Sequence, residues 1–389
     1  MPAIIIYSTL AMLLGLFLAW LVHSRGGLKI VVRPNVQKLD PSIALPLISV
    51  VIPARNEARN IRQCLEKLFI QTYPNFEIIV VDDRSTDDTP RILDELVAVY
   101  PRLHVMNGEE LPTGWAGKPH ALAQGAAQAR GEWLCFMDAD TFASAELLST
   151  TYDMAILHKA DMFSILTGQI LVSFWERTVL PLVFLGLSFG FPAEAVNDPA
   201  RPDAIANGQF ILIKHSVYEQ IGGHAAVKDH IDEDRALAAV VKHAGHRLVL
   251  ADGREVARTH MYTSLPEMWE GWTKNIYLGL RDKQGLLLFG AVLGLLVTLV
   301  LPLWLAGGLT WLASGGGVTA SLVTAEAAVL WGYLLWERSL ACRFFDIPRW
   351  YAVTFPLGAF IFTLMMLGSM YNVVSGRGVR WKGRIYRQV

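Results

Sequence analysis

The chain has 389 residues, of which 53% are apolar and only 18% are charged, against roughly 25% charged in a typical globular protein. The length allows a sizeable core, and the net charge of −1 gives no electrostatic reason to expect a nucleic-acid partner. The three cysteines (Cys64, Cys135 and Cys342) are far apart and fit neither a disulfide framework nor a zinc site, which suits a reducing compartment.

The first predicted element is a membrane anchor over residues 1–24. Residues 3–22 form an uncharged apolar run about long enough to cross a bilayer as a helix. A signal peptide is the alternative, but no lysine or arginine precedes the run. Four basic residues and no acid follow it before Asp40, so the positive-inside rule places the N-terminus outside and the next segment in the cytoplasm.

Residues 25–285 have the alternation of strands and helices that predicts a mostly parallel, Rossmann-like sheet. The predicted strands are "PLISVVIPA", "NFEIIVVDD", "LHVMNG" and "GEWLCFMDADT". The helices between them are "ARNIRQCLEKLFIQ", "TPRILDELVAVY" and "HALAQGAAQAR". Because ligands of such sheets bind beyond the carboxyl ends of the strands, the acids after the second and fourth strands are expected to face one crevice.

Two kinds of apolar segment follow the predicted strands. Residues 171–191 are apolar and aromatic but contain Glu176, Arg177 and Pro181, which is compatible with a core helix or with a helix lying in the membrane interface. Three longer runs, at 286–306, 318–336 and 351–374, predict C-terminal membrane segments over 286–374.

The tail at 375–389 is strongly basic, which favours a cytoplasmic location. Three C-terminal crossings after an outside N-terminus would instead leave this tail outside. We expect one of the three runs to be re-entrant or interfacial, and the segment around Val318 is our first choice.

Two acid clusters are the candidate site. Asp82 and Asp83 directly follow the second predicted strand, where carboxylates can accept hydrogen bonds from a nucleotide, although turn formation and helix capping explain the polar residues after them. Asp138 and Asp140 follow the fourth strand and can together reach a hard divalent cation. Two aspartates one residue apart are common in loops. Their position after a predicted strand, and after the earlier acids, makes this pair a candidate cation site.

The motifs, taken in order, resemble the family 2 inverting glycosyltransferases of the GT-A fold. The resemblance runs from about residue 48 to residue 279 and rests on "SVVIPARNEARNI", "EIIVVDDRSTDDT", "GKPHALAQGAAQARGEWLCFMDAD", "IANGQFILIKHSVYEQIGG" and "DEDRALA". The stretches "GWAGKPHAL", "KNIYLGL" and "WKGRIY" are similar to membrane glycosyltransferases associated with carotenoids and hopanoids, such as those of the chlorobactene glucosyltransferase type.

The resemblance implies roles for particular residues. The nucleotide-sugar would be bound by Pro53, Ala54, Asn56, Glu57, Asp83, Lys118 and Asp138, with Asp82 added by the strand-end argument above. Asp138 and Asp140 would hold Mg²⁺ or Mn²⁺. Glu233 and Asp234 would be the catalytic acid pair, with Asp234 as the general base. A hydroxyl acceptor is a poor nucleophile, so a carboxylate that takes its proton would assist displacement at the anomeric carbon.

One departure from the family pattern concerns the diphosphate. Many relatives carry a Gln/Arg-x-x-Arg-Trp motif before the C-terminal spans, whereas this chain has "EMWEGWTKNIYLGL". Trp269, Trp272 and Lys274 are the available substitutes, and a lysine can contact phosphate as a point charge. The tryptophans alternatively form an interfacial belt. In the tail, Trp381, Lys382 and Arg384 could close the site or bind anionic headgroups.

The sequence therefore predicts a GT-A domain facing the cytoplasm of a multi-pass membrane protein. Its partners would be a nucleotide-sugar, most readily a UDP-hexose, a lipid acceptor and the membrane. The acceptor would be a hydroxyl of a carotenoid, hopanoid or other polyisoprenoid. One alternative is a prenyl-phosphate sugar synthase, whose acceptor is already ionised; another, of a different class, is a non-catalytic scaffold that only binds nucleotide-sugar.

Overall fold

A computed structural model describes residues 2–24, 29–34, 45–190, 192–280, 284–375, 379–381 and 384–386. Its centre is a seven-stranded sheet in the order β3-β2-β1-β4-β8-β6-β9. The strands are β1 Ile48–Ala54, β2 Phe76–Asp82, β3 Leu103–Asn107, β4 Trp133–Phe136, β5 Thr141–Ala143, β6 Met162–Leu166, β7 Gly168–Gln169, β8 Ile211–Lys214, β9 Leu248–Asp252, β10 Ala257–Thr259, β11 Val379–Trp381 and β12 Arg384–Tyr386.

The sheet is mixed but mostly parallel, which confirms the predicted fold class. Strands β1, β2, β3 and β4 are parallel, as are β6 and β9, whereas β8 runs antiparallel to both of its neighbours. Strands β2 and β4 are buried at every residue, because helices cover both faces of the sheet. A second sheet, β5-β10-β7, lies beyond the end of β4.

The helices of the described residues include those that pack on both faces of the large sheet and the apolar ones treated below. They are α1 Pro2–Ser24, α2 Ile61–Phe69, α3 Thr89–Val97, α4 Gly117–Gln128, α5 Leu147–Leu157, α6 Phe174–Gly190, α7 Ala193–Asn197, α8 His215–Gln220, α9 Glu233–His243, α10 Leu265–Leu280, α11 Gln284–Leu295, α12 Leu301–Ala313, α13 Gly317–Phe344 and α14 Phe355–Val374. The apolar faces of α2 and α3 join one core cluster, and those of α4 and α9 join the other. Alternate residues of β1, from Ile48 to Ala54, enter the first cluster and Val51 between them enters the second, which sets the side on which each helix packs.

Among the described residues, four helical segments are long and apolar enough to cross a membrane: Ala3–Trp20, Leu288–Ala313, Gly317–Phe344 and Arg349–Asn372. Helix α13 has 28 residues in one uninterrupted run, about 42 Å at about 1.5 Å per residue. Its acid, Glu326, accepts hydrogen bonds from the Ser8 and Thr9 hydroxyls of α1. The acid therefore faces a polar partner, as an ionisable group inside an apolar helix must.

Helix α14 differs from the other apolar helices in its neighbours. Near its start, Gly358 lies against the backbone of α6, and near its end the Ser369 hydroxyl donates to the Thr273 carbonyl of α10 at 2.5 Å. Strand β11 of the tail also contacts α10. Both ends of α14 therefore contact helices of the α/β region at residues 45–280, which we call the polar half of the chain.

The polar half is fastened to the apolar helices at the β9 edge of the sheet. The segment at 29–34, which follows α1, pairs with this edge: Val32 N donates to Asp252 O at 2.7 Å, and Asp252 N donates to Ile30 O at 2.8 Å. At the end of α13, Arg254 Nη1 donates to Phe344 O at 3.1 Å and its guanidinium lies 3.6 Å from that residue's ring centroid.

A buried carboxylate joins the starts of β1, β2 and β4. Glu77 accepts hydrogen bonds from the Ser49 hydroxyl at 2.7 Å and from Arg130 N at 3.0 Å, and Ser49 Oγ in turn accepts one from Gly131 N at 2.8 Å. Glu77 is 4% exposed, and although burial alone would raise its pKa, the hydrogen bonds from Arg130 and Ser49 lower it. The network fixes the relative register of three strands, two of which (β2 and β4) carry the acid clusters at their other ends.

We expect Glu77→Gln to destabilise the fold at pH 7 by about 1–2 kcal/mol, because the buried network loses its charge-assisted hydrogen bonds. Since the pKa of Glu77 is lowered in the folded state, its contribution is present above the unfolded value of about 4.3 and is lost as pH falls through the folded value. The difference in urea unfolding between wild type and variant in detergent, followed by tryptophan fluorescence, should therefore shrink as the pH falls below about 4.3 and vanish below the folded value. Glu95→Gln, at an exposed ion pair, is the control and should show little change. A difference that persists unchanged at pH 3 would contradict this account.

Candidate active site

The carboxyl ends of β1 and β2 form one wall of the site. Asn56 has φ of 55°, and its side-chain oxygen accepts a hydrogen bond from Thr86 N at 2.8 Å, which ties the turn after β1 to the turn after β2. Glu57 N donates to Thr89 Oγ1 at 2.8 Å in the same way. Asp83, whose backbone N donates to Ala54 O at 2.7 Å, lines the cavity described below.

The two neighbouring acids of this wall differ in position. Asp82 accepts a hydrogen bond from Ser85 N through Oδ1 at 3.1 Å, so its carboxylate shapes the turn, and it is not among the described residues that line the cavity. Arg55 lies beside Asp83, with Nη1 3.8 Å from Oδ2 and donating to its carbonyl at 2.7 Å. The predicted nucleotide-binding role therefore has geometric support at Asp83, whereas Asp82 acts in the turn.

Lys118 joins the acid cluster after β4 to the acid pair at the start of α9. It lies in the first turn of α4, and its Nζ is 2.7 Å from Asp138 Oδ1 and 2.8 Å from Glu233 Oε1. Asp234 Oδ2 accepts a hydrogen bond from Gly208 N at 2.8 Å, and its Oδ1 accepts one from Arg235 N at 2.8 Å. Acids that are nearly 100 residues apart in the chain thus meet around one ammonium group.

Burial and mutual attraction shift the pKa values of this cluster. Burial raises the pKa of Glu233 to about 7, with Lys118 acting in the opposite direction, and burial also raises the pKa of Asp234. For Lys118, burial lowers the pKa, but attraction by Asp138, Glu233 and Asp234 outweighs it and the pKa lies well above its ordinary value. Perturbed pairs of this kind in a cleft are typical of functional sites.

Helix α10 supplies a second cation. Burial lowers the pKa of Lys274 to about 8. Attraction by Glu233 acts against this decrease, whereas repulsion by Lys118 adds to it, so this ammonium belongs to the same charge cluster. Trp272 is buried in the packing of α10 against α6, and Trp269 lies near Gly368 of α14. Of the three residues that could replace the missing arginine motif, Lys274 is therefore the one that reaches the acids.

The two lysines and the acids other than Asp82 line one cavity of about 2,410 Å³. Its polar part is lined by Pro53, Ala54, Asn56, Glu57, Asp83, Lys118, Asp138, Asp140, Glu233, Asp234 and Lys274. Its apolar part continues between the apolar helices, where Leu14, Leu18, Trp304, Leu330 and Leu334 line it. The structure thus brings together all the predicted site residues except Asp82.

The structure also adds residues that the motifs did not single out. His260 N donates to Asp140 O at 3.2 Å, and its Nε2 lies 3.2 Å from Oε1 of Glu176, a residue that is only 1% exposed. Gly208 occupies the space between Lys118 and Asp234. The "IANGQF" motif contained that glycine, but no local pattern indicated His260, because its contact with the acids forms through the small sheet.

Within the described residues, no group of three or more His, Cys, Asp and Glu side chains is close enough to hold a metal ion by itself. Asp138 and Asp140 supply carboxylate oxygens, which suit Mg²⁺ or Mn²⁺ rather than a soft metal. Such ions commonly use one or two carboxylates and complete their coordination with substrate phosphates and water. The donor set therefore fits a cation that arrives with a diphosphate.

Comparison with known proteins agrees with this geometry. The family model described as "Glycosyl transferase family 2" matches residues 49–222, which include β1, β2, β4 and β8 with both acid clusters at the strand ends. The chain contains a family 2 glycosyltransferase domain. The predicted resemblance and enzyme class are thereby confirmed, while the roles of individual residues remain predictions.

Two similar proteins extend the match beyond the family 2 domain. A 4,4'-diaponeurosporenoate glycosyltransferase of Staphylococcus aureus (strain USA300) is 27% identical over 87% of this chain and 88% of its own length. A solved mannosyltransferase from Pyrobaculum calidifontis, in complex with GDP-Man and Mn²⁺, is 21% identical and has a TM-score of 0.51 over 92% of this chain and 98% of its own. The second likeness shows the fold alone, which is GT-A as predicted.

We expect Gly208→Ala to lower activity while leaving the fold intact. A Cβ at this position would lie 2.8 Å from Lys118 Nζ and 3.1 Å from Asp234 Oδ2, so these two groups must move apart. A displacement of this size costs about 10- to 100-fold in kcat/KM. Gly307→Ala, where a Cβ meets nothing within 4 Å, is the matched control and should behave as wild type. Unchanged turnover by a folded Gly208→Ala enzyme would show that the close contact has no catalytic importance.

Proposed function

We propose that this enzyme transfers a hexose, with inversion, from a nucleotide-sugar (a UDP-hexose as first choice) to a hydroxyl of a membrane lipid. The observation that carries the proposal is the single cavity that joins the acids of the family 2 domain to the space between the apolar helices. A water-soluble acceptor needs no such apolar extension. The relative named as a 4,4'-diaponeurosporenoate glycosyltransferase supports a polyisoprenoid-like acceptor.

The cavity residues divide naturally between donor and acceptor. Asp83, Asn56 and Glu57 lie on the wall where a nucleoside would bind, and Lys118 and Lys274 provide positive charge for its diphosphate. Asp234 is the proposed base: burial raises its pKa, which makes its carboxylate a better proton acceptor than an exposed aspartate. Glu233, bound to Lys118, holds that ammonium in place.

Asp138 and Asp140 are the proposed ligands of Mg²⁺ or Mn²⁺. When bound, such an ion would neutralise the charge that develops on the departing nucleoside diphosphate. The mannosyltransferase of the same fold, in complex with GDP-Man and Mn²⁺, supports this dependence on a divalent metal. In the protein itself, Lys118 holds the Asp138 carboxylate at the end of β4, so one metal ligand is positioned before donor binding.

We also propose that α1, the segment containing α11 and α12, and α13 cross the membrane, while α14 lies along its cytoplasmic surface. The contacts of both ends of α14 with α6 and α10 support this arrangement. It gives three crossings, so the basic tail and the catalytic domain share the cytoplasmic side, as the charges predict. One run is then interfacial, as expected from the sequence, but it is α14 rather than the segment around Val318.

A second acceptor class has one observation in its favour. Both oxygens of Asp234 already accept backbone hydrogen bonds, from Gly208 and Arg235, which reduces their capacity to take a proton. An acceptor whose oxygen is already ionised, such as a prenyl phosphate, would need no base. A scaffold that only binds nucleotide-sugar has no such support, because a fold alone does not require Asp83, Asp138, Asp140 and Asp234 together.

The proposal is tested first by release of UDP from UDP-hexoses by the detergent-solubilised enzyme, with and without Mn²⁺ and a lipid extract of its source. We expect release that needs the metal, rises with the extract and yields a glycosylated lipid. Asp140→Ala should reduce it by about 10²- to 10³-fold. Asp94→Ala, an exposed acid of α3, is the control. If a folded enzyme releases no nucleotide from any nucleotide-sugar, the scaffold becomes the better interpretation.

Asp234→Asn separates the two acceptor classes. For a hydroxyl acceptor, loss of the base should lower kcat by about 10²- to 10⁴-fold, with a smaller change in KM for the donor. For an ionised acceptor the variant should keep substantial turnover. The matched control is Asp229→Asn, an exposed aspartate shortly before α9. Equal activity of Asp234→Asn and wild type with a neutral alcohol would exclude Asp234 as the base.

A further inference from the structure

Helix α13 carries an arginine that the mechanism does not use. Arg338 is 4% exposed and lies six residues before the end of α13 at Phe344. Arg254 of the polar half contacts this end of the helix. Its side chain lines the large cavity. A cation in an apolar helix is costly unless it faces protein or ligand groups, so its retention calls for a partner.

Part of the guanidinium has a structural role. Nη2 donates to Arg177 O at 2.9 Å and to Thr178 O at 3.3 Å in α6. Pro181 in that helix has no N–H, so the Arg177 carbonyl has no donor four residues later. Arg338 supplies the missing hydrogen bond, which accounts for one of its three nitrogens.

The other two nitrogens are not accounted for. Nε and Nη1 of Arg338 are buried and have no hydrogen-bond partner in the described part of the chain, and no carboxylate of the described residues forms an ion pair with this side chain. A buried donor without an acceptor costs free energy, and a cation more so. These N–H groups therefore point to an acceptor outside the described residues, and the cavity that Arg338 lines is where a ligand would supply it.

Arg338 lies between the two ends of the cavity. Towards the acids, its contact at Arg177 is adjacent to Glu176, whose carboxylate meets His260, and His260 is bonded to the Asp140 carbonyl. Towards the apolar helices, Leu334 lies one turn earlier in α13 and Leu330 one turn before that, and both line the apolar part. A lipid whose chain fills the apolar part would bring its head to Arg338.

We infer that Arg338 binds an oxyanion, a carboxylate or a phosphate, on the head of the lipid acceptor. Guanidinium groups form strong charge-assisted hydrogen bonds with both kinds of oxyanion. The inference rests on the proposed transfer to a lipid and narrows the acceptor from any polyisoprenoid to an acidic one. The inference thereby favours the second acceptor class, in which the acidic oxygen itself receives the sugar, and Asp234→Asn tests that choice.

The test uses the full-length enzyme in a nonionic detergent free of phospholipid. Three acceptors with one chain are compared: geranylgeranoic acid, geranylgeranyl phosphate and geranylgeraniol. We expect wild type to have a higher kcat/KM for an acid than for the alcohol. Arg338→Met should lower this acid-to-alcohol ratio by about 10- to 100-fold, mainly through KM, because one charge-assisted interaction is lost. Arg338→Lys keeps the charge and should lower the ratio less.

Several outcomes would overturn the inference. An unchanged ratio in folded Arg338→Met, or a wild type that prefers the alcohol, would leave Arg338 as a structural partner of α6 only. Inhibition of wild type by added phosphatidylglycerol that is lost in Arg338→Met, with the acid-to-alcohol ratio the same in both enzymes, would assign the site to a bilayer phosphate instead. If the methionine variant does not fold, the lysine variant carries the test through the same ratio. Failure of the proposed function is distinct: wild type would bind UDP but glycosylate none of the three acceptors.

Discussion

The arrangement of the site depends on the buried ammonium group of Lys118. Asp138 comes from the end of β4 and Glu233 from the start of α9, and both carboxylates contact this one cation. Without it, three acids would lie in a buried cleft with uncompensated charge, which costs several kcal/mol for each group. The salt bridges therefore fix where α9 begins relative to the sheet, and with it the position of Asp234.

The same cluster explains why the polar and apolar halves of the chain form one functional unit. Lys274 extends the charges onto α10, which in turn packs against α14 and the tail strand β11. Helix α6, stabilised at Pro181 by Arg338 of α13, carries Glu176 to His260, which is bonded to the backbone of Asp140, one of the proposed metal ligands. Side chains from elements on both sides of the proposed membrane surface thus contribute to one cavity.

Much of this could be predicted from sequence because it depends on local pattern. The continuous apolar runs of β1, β2 and β4 predicted parallel strands, and the acids at their ends predicted one crevice. The antiparallel β8, the turn role of Asp82 and the contacts of His260 and Arg338 could not be predicted. Each depends on packing between segments far apart in the chain, which leaves no periodicity or motif in the sequence. Hydropathy likewise does not separate α14 from the helices proposed to cross the membrane, since the proposed difference lies in what its ends contact.

The attachment of residues 29–34 to the β9 edge has a kinetic consequence. Four residues separate α1 from this segment, and a chain of that length reaches only about 14 Å when fully extended. With α13 held to the same edge through Arg254, the catalytic domain cannot swing away from the helices. In the proposed arrangement the enzyme meets its acceptor by lateral diffusion in two dimensions. Its saturation is then governed by the mole fraction of acceptor in the lipid, not by the amount of acceptor per volume of cell.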